Sequence, residues 1–262
     1  MKQIILPTLS HSAEPPTPEG AGLSVVSISR KFGKKTVLHD VSIEVRRSEV
    51  VGLLGRDGAG KTITFYSILG LLQVNSGHVF LDGNDITDLS LDRRALRGLG
   101  YLPQESSIFR GLTVEQNILT VLELFEPNPI LRAQRLDELL AEFHIEYVRH
   151  VPARALSGGE RRRCEIARAM AANPTIMLFD EPFAGIDPLS VRDIKAMIAD
   201  LESHDVGILV TDQNVREMVD ILDRVYVLHE GRIVFSGTPE AMLADKVVRH
   251  LYLGEAFHTT TR

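Results

Sequence analysis

Hydrophobic and polar residues follow two patterns along the 262-residue chain. In residues 23–28 and 41–45 they largely alternate, which is typical of strands with one buried face. Residues 78–81 end at Asp82-Gly83, a hairpin turn signal. These segments predict a small antiparallel sheet in the first part of the chain.

The second pattern consists of short apolar runs without alternation, at residues 50–54, 175–179 and 207–210. Strands that helices cover on both faces have this composition. Between them, apolar residues recur at helical spacing over residues 136–143 and 191–201. Strands that alternate with helices form a parallel sheet, so the pattern predicts an α/β fold.

The end of the chain carries a second hairpin signal. Residues 225–228 and 233–235 flank Glu230-Gly231. Thr238 followed by Pro239 then predicts the start of a helix. No apolar run approaches the roughly 20 residues that a membrane-spanning helix needs, so any membrane channel would be carried by another chain.

Composition divides the chain into three parts. Residues 1–22 are rich in proline and polar residues, which predicts a disordered leader. We expect a globular domain over residues 23–256 and a short tail over residues 257–262. The net charge of −6 argues against a nucleic-acid binder, and the basic runs Lys34-Lys35 and Arg161–Arg163 are expected to be solvated faces. A single cysteine, Cys164, excludes an internal disulfide framework and fits a reducing cytosol.

The segment Gly55–Thr62 fits the phosphate-loop pattern G-x-x-x-x-G-K-[ST] between a predicted strand and a predicted helix. Its glycines let backbone N–H groups approach phosphate oxygens, and the helix N-terminus adds unpaired donors. We expect Lys61 to reach the β- and γ-phosphates of ATP and Thr62 to ligate Mg²⁺.

Two acids, Asp180 and Glu181, end a hydrophobic strand, where α/β proteins bind their ligands. We expect Asp180 to hold Mg²⁺ through water and Glu181 to orient or deprotonate the attacking water. Positioning is at least as plausible as proton removal, because a carboxylate with a pKa of about 4.3 is a weak base at neutral pH.

A second glycine motif, Leu156–Glu160, precedes another helix. Ser157 and Glu160 form a capping-box pattern, but a capping box needs no pair of glycines. Gly158 and Gly159 expose backbone at a helix N-terminus, which makes a second anion site. Head-to-tail pairing of two copies would press this site onto the ATP of the other copy.

These motifs, GRDGAGKT, LSGGE and LFDEP in this order, resemble the nucleotide-binding domain of ABC transporters over residues 23–256. The resemblance implies a RecA-like P-loop core, an N-terminal antiparallel β subdomain and an inserted α-helical subdomain at about residues 105–165. The resemblance implies that Phe32 stacks on the adenine, that Gln104 contacts Mg²⁺ or water, and that Asp187 contacts the other subunit. The residues it assigns to the nucleotide are Phe32, Gly55, Arg56, Asp57, Gly58, Ala59, Gly60, Lys61, Thr62, Ile63, Ser157, Gly158, Gly159 and Glu160.

Within this class the chain is most similar to the ATPases of lipopolysaccharide export. The similarity rests on YLPQESSIFR, EFHIE, LSGGERRRCEI, DEPFAGIDP and LGE. It implies a homodimer on the inner face of the bacterial inner membrane, touching the membrane only through two transmembrane subunits. Phe109 and Arg110 would then seat the coupling helices of those subunits.

Three positions depart from the family pattern. Gln213 replaces a histidine that contacts the γ-phosphate, Ile63 replaces a hydroxyl, and Asp57 replaces an asparagine. Complete loss of a transition-state donor costs roughly two to three decades in rate, and glutamine can still donate a hydrogen bond. We therefore expect a slow but real ATPase with catalytic groups Glu181, Gln213 and Gln104.

Three alternatives remain open from the sequence. The cargo could be that of a branched-chain amino-acid importer, because the ATP-binding subunit of such an importer has the same compact domain layout. Gln213 and Ile63 could mark a nucleotide-gated subunit with impaired hydrolysis. A DNA-repair or chromosome ATPase is disfavoured, because such heads insert a long coiled coil and no heptad stretch is present here.

Overall fold

In the computed structural model, which describes residues 20–212 and 215–253, the strands form two sheets. The strands are β1 (Gly22–Phe32), β2 (Lys35–Arg46), β3 (Val50–Leu54), β4 (Ser76–Leu81), β5 (Asn84–Asp85), β6 (Leu99–Leu102), β7 (Ile176–Asp180), β8 (Gly207–Thr211), β9 (Arg224–His229) and β10 (Arg232–Gly237). The helices are α1 (Lys61–Leu69), α2 (Leu91–Ala95), α3 (Val114–Phe125), α4 (Pro129–Glu142), α5 (Gly158–Met170), α6 (Pro188–Ser203), α7 (Val215–Met218), α8 (Pro239–Ala244) and α9 (Lys246–Val248).

The first sheet is antiparallel, with the order β2-β1-β4-β5, as the alternating segments predict. Its two long strands extend beyond the alternating residues and meet at Gly33-Lys34. Residues 1–19 of the predicted leader and residues 257–262 of the predicted tail lie outside the described residues, and β1 begins at Gly22.

The second sheet has the order β10-β9-β3-β8-β7-β6. All its pairs are parallel except the hairpin of β9 and β10. Strands β3, β7 and β8 are buried along their whole length, as unbroken apolar runs predict. The expected α/β fold is confirmed. Strand β6 was not predicted, because its four residues, which include Gly100, are too few to show the alternation of hydrophobic and polar residues that is typical of a strand.

This core sheet has an apolar cluster on each face. Val50 and Leu54 belong to the cluster that includes helices α3 to α6, while Val51 and Leu53 face the antiparallel sheet and α1. Successive strand side chains point to opposite faces, so a single strand contributes to both layers. Because β3, β8 and β7 are parallel, the carboxyl ends of β3 and β7 lie at the same edge of the core sheet, where the site lies.

The predicted helical region contains α3 and α4, which pack against α5. Thr113 caps α3 in a capping box with Gln116, and Asn128 caps α4. The predicted apolar stripe of α4 is buried at Leu136, Leu139 and Leu140. No described helix is both long and apolar enough to cross a membrane.

The basic run at the start of α5 corrects one expectation. Arg162 is only 6% exposed. One guanidinium nitrogen donates to the Pro103 carbonyl at 3.0 Å and lies 3.3 Å from Glu165. The other Glu165 oxygen accepts from Ser106 and Ser107. Position 162 lies on the packed face of α5, so this ion pair ties α5 to the segment after β6 instead of forming a solvated face.

Candidate functional site

The phosphate loop follows β3 and ends at the first residue of α1. Gly58 and Gly60 have φ angles of 76° and 112°, a backbone region that favours glycine. A Cβ on Gly55 would overlap the Leu228 carbonyl oxygen, and one on Gly60 would lie 3.0 Å from a Leu38 methyl group. The loop therefore bends tightly and leaves its backbone uncovered, as a phosphate site requires.

Lys61 is 7% exposed, yet none of its contacts in the described structure is a carboxylate. Its ammonium group donates to the Gly55 carbonyl at 2.7 Å and lies 3.4 Å from the Arg56 carbonyl. Neutral carbonyls compensate a buried cation only in part. The loop is consequently a favourable place for an anion, and a phosphate group fits this charge.

Beside the loop lies a cleft of about 720 Å³. It is large enough for a nucleotide, since ligand pockets usually measure roughly 300–1,000 Å³. Its walls come from the phosphate loop, β2, the β9–β10 turn and the end of β7. The lining residues are Lys35, Thr36, Val37, His39, Arg56, Asp57, Gly58, Ala59, Gly60, Lys61, Thr62, Ile63, Glu181, His229, Glu230 and Gly231.

The two predicted acids have different surroundings. Asp180 is 4% exposed and accepts hydrogen bonds from Thr211 at 2.9 Å and from the Tyr101 hydroxyl at 3.3 Å. Burial, with Asp180 beside it, raises the pKa of Tyr101, so this phenol remains a donor at neutral pH. Asp180 is thus rigidly held below the cleft.

Glu181 directly follows β7 and lines the cleft. Its φ of 45° is uncommon for a residue with a side chain, and its N–H donates to the Thr211 carbonyl at 2.9 Å. The Gln104 amide donates to its carboxylate at 2.7 Å. The structure therefore brings Gln104, Glu181 and Lys61 to one place from three distant parts of the chain.

The second glycine motif begins α5 with the expected capping box. The Ser157 N–H donates to Glu160 at 2.8 Å, and the Glu160 N–H donates back to the Ser157 hydroxyl at 3.3 Å. The Ser157 hydrogen bonds keep the pKa of Glu160 below its usual value. Ser157 and Gly158 are exposed, and neither lines the cleft of its own chain. Within one chain the two anion sites are not brought together.

The three predicted partner contacts lie on the surface. Phe109 is 51% exposed, and Arg168 lies over its ring at 5.0 Å. Asn117 bonds both backbone groups of Phe109, which fixes the neighbouring Arg110 in an exposed position. Asp187 is exposed and accepts from Ser190 in the first turn of α6.

Phe32 ends β1 and is 44% exposed, with the Arg30 guanidinium 4.8 Å from its ring. It does not itself line the cleft, whereas its strand partner Lys35 does. Gln213 lies outside the described residues. Sequence reasoning missed the cleft residues on β2 and on the β9–β10 turn. Lys35 was expected on a solvated face but lines the cleft. Its position three residues after Phe32, the predicted adenine contact, was the one local signal for the cleft residues on β2.

Comparisons with known proteins agree with this geometry. The family profile described as ABC transporter matches residues 38–184. A probable ABC transporter ATP-binding protein of Azorhizobium caulinodans is 53% identical over 244 residues, which cover 93% of this chain and 86% of that protein. The chain belongs to the ABC transporter ATP-binding family. The resemblance found in the three motifs is thereby confirmed, and the chain is the ATPase subunit of a transporter.

Two further relatives place the chain within the ABC family. The lipopolysaccharide export system ATP-binding protein LptB of Haemophilus influenzae is 50% identical over 236 residues, covering 90% of this chain and 98% of that protein. The ADP conformation of MJ1267, an ATP-binding cassette of an ABC transporter, superposes with a TM-score of 0.80 at 25% identity, covering 89% and 99% of the two chains.

Proposed function

We propose that the chain powers the extraction of lipopolysaccharide from the bacterial inner membrane by ATP-driven closure of a homodimer. One observation carries the dimer: the exposed Ser157-Gly158 site and the phosphate cleft do not meet within one chain. The cargo is inferred from LptB of Haemophilus influenzae, which is similar over 90% of this chain.

The phosphate loop supplies the binding half of the reaction. Lys61 neutralises the β- and γ-phosphates, and the backbone N–H groups of Gly58 and of residues 60–62 surround them, while the Ala59 N–H donates to the Arg56 carbonyl. Mg²⁺ would be held by Thr62, with Asp180 and Gln104 acting directly or through water, and it supplies charge neutralisation when bound. No described group of three or more His, Cys, Asp and Glu side chains is arranged to hold a metal. A site with one or two protein oxygens, phosphates and water fits Mg²⁺.

Glu181 and Gln104 supply the hydrolytic half. Their 2.7 Å hydrogen bond fixes the Glu181 carboxylate at the cleft wall, where it orients the attacking water. Gln213 donates to the γ-phosphate in this proposal, in place of the family histidine. The rate of hydrolysis is consequently lower than in relatives that carry the histidine.

Dimer closure places Ser157, Gly158 and Gly159 of one copy on the γ-phosphate of the other. The backbone of Gly158 is exposed at the positive end of the 13-residue helix α5, which suits that charge, whereas Gly159, expected to expose its backbone, is buried. Asp187 then lies at the interface, because the second glycine motif packs against the start of α6. A Cβ on Gly159 would lie 2.6 Å from the Ser190 hydroxyl.

The transmembrane subunits would dock at Phe109 and Arg110. An exposed aromatic beside an arginine suits a helix end that presents apolar and acidic groups. The same segment includes Gln104, so displacement by a docked helix reaches Glu181 through a direct hydrogen bond. In this proposal the chain lies on the cytoplasmic face of the membrane and contacts it only through these subunits.

The dimer is tested with Glu181→Gln, which keeps the shape of the side chain and removes its charge. With ATP and Mg²⁺, light scattering should show a stable dimer of this variant, whereas the double variant with Lys61→Ala should stay monomeric. A Glu181→Gln chain that remains monomeric at saturating ATP, also beside its membrane subunits, would contradict the proposed nucleotide sandwich.

The cargo is tested by affinity purification from solubilised membranes. We expect lipopolysaccharide-export subunits to accompany the wild-type chain, and a Phe109→Ala and Arg110→Ala variant to lose them while still binding ATP. Recovery of an importer permease instead would reassign the cargo. ATP-dependent dimers without measurable phosphate release would favour the nucleotide-gated subunit suggested by Gln213 and Ile63.

A further inference from the structure

The turn between β9 and β10 joins two parts of the proposed nucleotide site. Glu230 and Gly231 have φ angles of 46° and 74°. Positive φ at both central residues is the signature of a tight type I′ hairpin turn. His229, Glu230 and Gly231 all line the cleft, although the nearest phosphate-loop residue lies about 170 positions earlier in the chain.

Gly231 makes one backbone hydrogen bond to each side of the cleft. Its N–H donates to the carbonyl of Ala59 in the phosphate loop at 2.9 Å. Its carbonyl accepts from the N–H of His39 on β2 at 2.8 Å. Ala59 belongs to the core sheet side and His39 to the antiparallel sheet, so one residue bridges the two layers where the cleft opens.

The three segments approach one another at backbone distance. A Cβ on Gly231 would overlap the Val37 carbonyl oxygen and lie 3.2 Å from the Leu38 Cα. A Cβ on Gly60 would lie 3.0 Å from Leu38 and 3.4 Å from Leu228. A side chain at Gly231 must therefore push β2 away from the phosphate loop, because neither neighbour is a flexible side chain.

We propose that Gly231 is a positioning residue for the nucleotide, which sets the distance between the phosphate half of the site and the base half on β1 and β2. The inference rests on the proposed nucleotide site. ATP must contact both halves at once, so a change in the distance between them weakens its contacts with one half. A ligand that contacts only the phosphate half would not sense this distance.

Gly231→Ala tests the proposal, with Gly83→Ala as its matched control. Gly83 follows Asp82 in a turn with φ angles of 48° and 74°, so both substitutions impose the same backbone strain. The ligands are ATP and inorganic tripolyphosphate, measured by calorimetry on the full chain. We expect Gly231→Ala to raise the Kd for ATP by roughly tenfold or more, which corresponds to the loss of about one hydrogen bond, and the Kd for tripolyphosphate by less than about twofold. Gly83→Ala should change neither.

A second variant covers the case in which Gly231→Ala fails to fold. His39→Pro removes the N–H that donates to the Gly231 carbonyl and puts the proline ring in its place, so it separates β2 from the turn without changing the backbone of the turn itself. It should show the same selective loss of ATP affinity. His39→Ala, which keeps the backbone N–H, measures the loss of the cleft-lining side chain alone, and the effect of His39→Pro is compared with it.

Two results would overturn the inference. Equal loss of ATP and tripolyphosphate would mean that Gly231 supports only the phosphate loop, and equal effects at Gly83 would mean general strain. The proposed site itself is judged separately by Lys61→Ala, which should abolish the binding of both ligands. If that variant binds normally, the nucleotide site is wrong whatever Gly231 does.

Discussion

At the residue scale, two buried cations, Lys61 and Arg94, are held by backbone carbonyls. Arg94 is 2% exposed and donates to the carbonyls of Leu89 and Thr87 at 2.8 and 2.6 Å. It also donates to the carbonyls of Ser67 and Ile68, at the C-terminal end of α1. Burial lowers its pKa to about 10, so it stays charged at neutral pH. A cation is favourable there because the helix dipole is negative at that end.

Arg94→Met should destabilise the fold without touching the cleft. The substitution leaves carbonyls that Arg94 now satisfies without donors, and each buried unsatisfied group costs about 1–3 kcal/mol. We expect a loss of at least about 3 kcal/mol in the free energy of urea unfolding. The neighbouring Arg93 is exposed, and Arg93→Met should stay within about 0.5 kcal/mol of wild type. Similar losses in both variants would disprove this role of Arg94.

At the element scale, a capping box begins each of two helices that have different roles in the proposed function. Thr113 and Gln116 begin α3, and Ser157 and Glu160 begin α5, each with both reciprocal hydrogen bonds. Thr113 lies in the helical region, where its helix packs against α4 and α5. Ser157 has the same local geometry but belongs to the proposed dimer contact with the γ-phosphate. A comparison of the two caps therefore distinguishes a contribution to helix stability from a contribution to nucleotide binding.

Alanine at either cap should lower the free energy of unfolding by about 1 kcal/mol. Only Ser157→Ala should also weaken ATP-driven dimerisation, because only that hydroxyl faces the nucleotide of the other copy in the proposed dimer. Urea titration gives the first quantity, and light scattering with the Glu181→Gln background gives the second. Equal dimerisation of the Thr113→Ala and Ser157→Ala chains would show that Ser157 acts as a cap alone.

At the scale of the whole molecule, the cleft lies where the antiparallel sheet meets the core sheet. Its lining comes from both, through β2 on one side and the phosphate loop with the β9–β10 turn on the other. A ligand that contacts both layers stabilises the folded chain against unfolding of either. Thermal stability is therefore a direct readout of the complete site.

ATP with Mg²⁺ should raise the melting temperature by an amount that grows with the logarithm of its concentration relative to Kd. At a concentration 100 times Kd, a ligand adds about 2.7 kcal/mol, which for a domain of this size shifts Tm by roughly 5–10 °C. Lys61→Ala should show little shift, while its own melting temperature without nucleotide should remain close to wild type. A full shift in that variant would place ATP elsewhere.

Local features of the site could be predicted from the sequence. The phosphate loop, the capping box at Ser157, the acids after β7 and the turn at Glu230-Gly231 all depend on neighbours in the chain. Their types and order therefore appear directly in the residues. The same local rules missed β6, whose four residues are too few to show a period.

What only the tertiary structure decided is which distant segments meet. The strand order β10-β9-β3-β8-β7-β6, the burial of Arg162, and the closure of the cleft by β2 and Gly231 arise from pairings between residues far apart in the chain. Such pairings are selected by packing and by backbone hydrogen bonds across the whole core, and they leave no periodic trace in either segment. The chemistry was therefore readable in the sequence, whereas the distances between its parts depend on the fold.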